Sequence, residues 1–123
     1  MIVLLLALAL LDVPKSITPG VVRPLTVQQI CHTKWGRDRR FVTVAMKKRV
    51  FAAYGIPWAT RGLYEVDHLE PRSLGGADVE ANLWPQLWAD AHKKDRIEVR
   101  LWRAVCGGTI TLKDAQQDMR AWR

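Results

Sequence analysis

The 123 residues predict one small α+β domain, mainly helical, built round a short pair of strands. Three observations point there. A hydrophobic share of 49% supplies one modest core at this length and leaves no room for a second domain. Two long stretches repeat apolar residues at helical spacing. Between them, two short extended stretches flank a loop rich in proline and glycine.

Met1 to Leu11 (MIVLLLALALL) is apolar but too short for a helical membrane span, which takes about 20 residues. No membrane span is therefore expected. The run fits the core of a signal peptide, although no Lys or Arg precedes it and no small-x-small cleavage site follows. A periplasmic or secreted location follows from that reading, and a cytoplasmic one if the run is a misplaced start. Residues 12–24 (DVPKSITPGVVRP) carry three prolines and a glycine, which deny regular structure, so they read as an extended arm. The expected organisation is thus a signal-like segment and arm over residues 1–24, then one domain over 25–123.

Thr26 can cap a short helical turn. A longer helix is expected from Thr43 to Tyr54, where Val44, Lys47, Val50, Phe51 and Tyr54 share a face and Gly55 and Pro57 stop it. A strand follows over Leu63 to Val66, then a loop from His68 to Glu80 broken by Pro71, Gly75 and Gly76. Asn82 to Trp84 reads as the returning strand. From Leu87 to Val105 the residues Leu87, Ala91, Lys94, Glu98, Leu101 and Val105 align on one helix face, with Gly107-Gly108 as the stop. Thr111 caps a last helix, with Asp114 at its third position.

Lys and Arg total 19 against 12 acidic residues, a formal charge of +7 that favours a polyanionic partner, nucleic acid first. A solvated basic surface is the plain alternative. The densest basic cluster joins Arg37, Arg39 and Arg40 to Lys47, Lys48 and Arg49; Arg37, Arg39, Arg40, Lys47 and Lys48, with Arg72 and Lys93, are the candidate phosphate contacts. Cys31 and Cys106 suit one disulfide after export, or two buried thiols in a reducing compartment. Neither belongs to a CxxC pair, which argues against a cysteine-built zinc site.

The most informative stretch is Glu65 to Glu98, EVDHLEPRSLGGADVEANLWPQLWADAHKKDRIE. A strand ending in Asp67-His68, then Pro71, Gly75-Gly76 and Asn82-Leu83 before a polar helix, resembles the HNH, or ββα-metal, nucleases. NLWPQ (82–86), KDRIE (94–98), VCGG (105–108), TPG (18–20) and ICHTKW (30–35) are similar to a small phage and bacterial subgroup of that family, often exported. The resemblance implies a ββα-metal hairpin-helix unit and a metal-dependent endonuclease acting on nucleic acid, DNA expected over RNA. It also implies one divalent ion, Mg²⁺ or Mn²⁺ foremost, with Zn²⁺ or Ni²⁺ as alternatives, and a monomer.

Phosphodiester hydrolysis needs a base to deprotonate water and a cation to neutralise charge growing on the phosphate. A neutral histidine can be the base, and a hard cation wants carboxylate oxygen. His68 is accordingly the candidate base and Asp67 the candidate metal ligand, since neighbours at a strand end diverge and so separate the two roles. By resemblance, Asn82 ties the loop together and orients the base through a backbone contact, which groups it with His68 in the catalytic set. The helix ligand is either Asp90, which stands where subgroup members carry Asn, or His92, one residue beyond the commonest HNH spacing. Two positions apart on a helix, both cannot face one ion.

Each feature has a plainer explanation. An isolated Asp-His pair is more often a surface turn, and only the ordered GG and NL lift this one above that. His32 lacks a ligand-spaced partner, and Lys94 with Glu98 is an intrahelical pair. Trp84, Trp88 and Trp102 sit among apolar helix positions and read as core rather than as base-stacking platforms. Two other functions share the chemistry or the fold: a non-catalytic DNA-binding or virion-associated module, and an antibacterial toxin domain whose partner would be an immunity protein.

Overall fold

The computed structural model describes residues 13–122. The apolar run over residues 1–11, and with it the expected signal segment, lies outside the described residues. Among the described residues, four α-helices and a two-stranded antiparallel sheet make up a small mixed, mainly helical fold. The helices are α1 (Val27–His32), α2 (Val44–Ala53), α3 (Trp88–Cys106) and α4 (Leu112–Ala121). The strands are β1 (Tyr64–His68) and β2 (Leu83–Leu87). Among the described residues no helix is long and apolar enough to cross a membrane.

Local chemistry sets the helix ends. Thr26, Thr43 and Thr111 each accept a hydrogen bond from the third residue of the helix that follows, and Thr26 with Gln29 completes a capping box. The expected strands are shifted. β1 runs two residues further than expected, so that Asp67 and His68 lie inside it, opposite Trp84 and Leu83. β2 starts one residue later and continues to Leu87, with Pro85 tolerated because a two-stranded ribbon has only edge strands. Pairing across the ladder supplies partners for these backbone groups, a term that apolar alternation alone does not reveal.

The proline-rich arm is docked onto the domain from Val13 onward. Val13 and Thr18 are buried, and Thr18 donates to the Leu83 carbonyl at 3.0 Å. Gly20 N bonds to Ala81 O, Ala77 N to Val21 O and Arg23 N to Gly75 O, which lays the arm along the 75–81 loop. Gly76 is needed there because a Cβ would lie 1.7 Å from the Glu70 carbonyl oxygen. Gly75 turns with φ 94°, in the left-handed region that glycine adopts without strain.

Two buried clusters hold the helices. Leu74, Val105, Ala115 and Met119 gather Ile97, Leu101 and Trp102 between α3 and α4. Val13, Leu69 and Trp84 gather Tyr54 and Trp122 beside the sheet. Cys31 and Cys106 form a disulfide that ties α1 to the end of α3. Trp84 and Trp102 are core residues as expected, whereas Trp88 is 47% exposed at the start of α3, contrary to its core reading. It begins the helix where β2 has left the sheet, and its indole N–H donates to the Gly62 carbonyl at 3.1 Å.

Candidate functional site

Consecutive strand residues point to opposite faces. Asp67 and His68 therefore meet different neighbours. Asp67 turns to α3, where Lys94 Nζ lies 3.0 Å from its Oδ2. Lys94 is fully buried, pairs closely with Glu98 one turn on, and donates to the His68 carbonyl at 2.6 Å. The helix thus braces the end of β1 through one ammonium group. Burial opposes its charge, but Asp67 and Glu98 outweigh that and hold the Lys94 pKa above the usual lysine value.

His68 turns to the loop. Its Nε2 is 2.8 Å from Asp78 Oδ1, and both side chains are largely buried. Asp78 also receives Arg72 Nε at 3.0 Å and the Phe41 amide at 2.9 Å. Burial works against its ionisation, yet the Phe41 amide, His68 and Arg72 together keep its pKa below the usual aspartate value. An ionised carboxylate only accepts, so the His68 proton belongs on Nε2 and the lone pair on Nδ1. Burial drives the His68 pKa below its usual value despite the opposing pull of Asp78 and Asp67, which leaves the ring neutral at pH 7.

His68 and Asp67 line a cleft of about 240 Å³ with Arg40, Glu65, Asp95 and Glu98. The carboxylates crowd one another. Burial, then Asp67 and Asp95, raises the Glu65 pKa, and burial followed by Asp67 raises that of Asp95. Glu98 is pushed up to about 7, chiefly by burial, with Lys94 pulling the other way. Four carboxylates thus share the cleft wall with the guanidinium groups of Arg40 and Arg72, and the buried Lys94 ammonium lies behind Asp67 and Glu98. Among the described residues no three His, Cys, Asp or Glu side chains are gathered to hold a metal ion. Asp67, with Asp95 and Glu98 of α3, lines the same cleft without forming such a group.

Neither expected helix ligand reaches this cleft. Asp90 stands half-exposed in the first turn of α3, and His92 is exposed with its ring 6.1 Å from that of Trp88. The reason is register: α3 starts beside Tyr64, at the far end of β1, and needs a further turn and more before it passes Asp67. Asn82 is fully buried and touches no cleft. Its Oδ1 accepts from the Glu70 and Val21 amides and its Nδ2 donates to the Glu70 and Ala77 carbonyls, so it closes the loop and holds the arm to it. It does not contact His68 directly, and burial excludes it from acting on a substrate.

The basic residues also divide. Arg72 lines the cleft but is buried and engaged by Asp38 at 2.6 Å, by Asp78 and by the Arg39 carbonyl, so it organises the loop. Arg37, Arg39, Arg40, Lys48 and Lys93 are exposed, and Lys47 is half-buried. Only Arg40 among them lines the cleft. Sequence reasoning missed Asp78, Glu65, Asp95 and the reach of Glu98. Asp95 and Glu98 had a signal, since both lie within about one turn of Lys94 on α3. Asp78 had none beyond its place in the loop. Comparison with protein-family models, with curated proteins and with solved structures finds no match to this chain.

Proposed function

We propose that the chain is a divalent-metal-dependent nuclease of the HNH, ββα-metal type, hydrolysing phosphodiester bonds of nucleic acid, DNA foremost. One observation carries the reading: a neutral histidine whose Nε2 is fixed by an ionised aspartate opens onto a carboxylate-lined cleft in a basic protein. Nδ1 of His68 then takes the proton of the attacking water, and the leaving oxygen is protonated from solvent. Asp78 positions the ring without touching substrate. The order strand, loop, strand, helix, with Asp67 and Lys94 facing each other across β1 and α3, supports a hairpin-helix unit.

The donor set fits a hard cation. Asp67 Oδ2 is buried with Lys94 Nζ 3.0 Å away, and the surrounding carboxylates repel one another. Mg²⁺ or Mn²⁺ suits such a site, because Mg²⁺ is held by one or two carboxylates and otherwise by water and substrate phosphate. Asp67 with Asp95 or Glu98 would hold it, and when bound it would neutralise charge on the phosphate. Zn²⁺ and Ni²⁺ favour nitrogen and sulfur ligands that the cleft does not offer beyond His68.

A second reading rests on Lys94. Its ammonium already pairs with the carboxylate that a cation would need, which favours a nucleic-acid-binding module without turnover. Supercoiled plasmid incubated with the chain in Mg²⁺, Mn²⁺ or chelator separates the two. Nicking that needs the metal and is lost in His68→Ala supports the nuclease. Retained plasmid binding with no nicking in any metal supports the module. Within the nuclease reading, Asp95→Asn and Glu98→Gln should raise the metal concentration required, while His92→Ala should leave it unchanged.

A further inference from the structure

Beside the cleft, and sharing Arg40, Glu65 and Val66 with it, runs a groove of about 340 Å³. Lys47, Arg61, Trp58 and Trp88 line it. We propose that this groove binds a single-stranded stretch of polynucleotide, one base lying on the face of Trp88 and the flanking phosphates held by Lys47, Arg61 and Arg40. The inference rests on the nucleic-acid reading above and names the form of substrate that the cleft receives.

The two tryptophans have different parts. Trp58 already carries cations: Lys48 Nζ lies 5.7 Å and Arg61 Cζ 5.2 Å from its ring centre. It also packs edge-to-face with Phe51, the ring centres 5.1 Å apart. Trp58 therefore holds two flexible cations against its ring, Arg61 on the groove, which cuts the ordering cost of gripping a phosphate. Trp88 is the open platform. Its indole N–H is tied to Gly62, which fixes the ring while nearly half of the residue faces solvent. An anchored, exposed indole beside fixed cations matches a strand that alternates base and phosphate. Duplex bases hide their faces in the stack, so only an unpaired base can use this platform.

Binding is measurable without turnover. Labelled oligothymidylate, an abasic strand of equal length and a hairpin duplex are titrated with the chain in chelator, and bound fraction is read by anisotropy. Oligothymidylate should bind about 5- to 150-fold more tightly than the abasic strand, the range that stacking of one base supplies. Trp88→Ala should erase that difference, and Trp88→Phe should keep part of it. Lys47→Ala and Arg61→Ala should weaken both strands alike and flatten their salt dependence. Equal binding of thymidylate and abasic strands by the unaltered chain overturns the proposal, and so does a duplex bound more tightly than the single strand. Plasmid nicking, assayed in parallel, keeps the two readings apart. Nicking without base-dependent binding overturns the groove alone, whereas base-dependent binding without nicking supports the groove and removes the nuclease.

Discussion

Replacing Asn82 by alanine removes one amide and strands four backbone groups. The Glu70 amide at 2.9 Å, the Glu70 carbonyl at 2.9 Å and the Ala77 carbonyl at 3.0 Å are buried, and the Val21 amide at 3.2 Å is half-buried. Leaving a buried backbone group unpaired costs about 1–3 kcal/mol, so at the low end four such groups give about 4 kcal/mol. A domain of this size has roughly 5–15 kcal/mol in all. At about 4 °C per kcal/mol, Asn82→Ala should melt about 15 °C lower. Calorimetry at fixed pH reads that shift, and hydrogen exchange at the Glu70 and Val21 amides reads its location. Asn82→Asp provides the control: it has the same shape and keeps both acceptor bonds but turns an anionic oxygen toward the Glu70 and Ala77 carbonyls. It should be destabilised at neutral pH and recover as acid protonates it. A melting point within a few degrees of the parent, with both amides still protected, would refute the account of Asn82 as the clamp of the loop.

Glu70 is fully buried, Arg120 Nε is 3.5 Å from its Oε1, and burial pushes its pKa up to about 7. A raised carboxyl favours the protonated fold, so its stability is complete below the usual glutamate value and is lost as pH rises through about 7. Glu70→Gln should flatten that decline, worth up to about 3 kcal/mol, and an unchanged pH–melting curve would contradict the burial argument. In a nicking assay, activity should fall as His68 protonates, below the ordinary histidine value. Asp78→Asn removes a charge that raises the His68 pKa and should move this acid limb to lower pH; a limb that stays or rises would remove Asp78 as the positioning residue. Reducing Cys31–Cys106, which closes a separation of 75 residues, should cost about 4 kcal/mol in the chain-entropy view, and a melting point indifferent to reductant would count against that.

Much of the fold was legible in the chain. The threonine caps at 26, 43 and 111, the stops at Gly55 and Gly107, and the helical spacing of α2 and α3 are local signals, and the helices end where they predict. Strand limits were less legible because a β-residue is defined by a partner distant in sequence. β1 reaches His68 only because Leu83 lies opposite. The arm from Val13 reads as unstructured for a related reason: its hydrogen bonds go to Leu83, Ala81, Val21–Ala77 and Gly75 pairings that no window of sequence contains.

By itself the sequence determined the residue types of the candidate site, a histidine beside an aspartate, an asparagine 14 positions on and a polar helix, because these chemistries depend on side-chain identity and rough order. Tertiary structure alone decided which partners they meet. The length of β2 and the starting point of α3 set the helix register, and that register brings Lys94 and Glu98 to Asp67 while leaving Asp90 and His92 outside. Loop closure by Asn82 carries Asp78 to His68 and encloses Arg72. Trp88, apolar by type, faces solvent because the strand before it ends at the edge of the sheet. Side-chain chemistry is written residue by residue, but burial and proximity are properties of the packed whole.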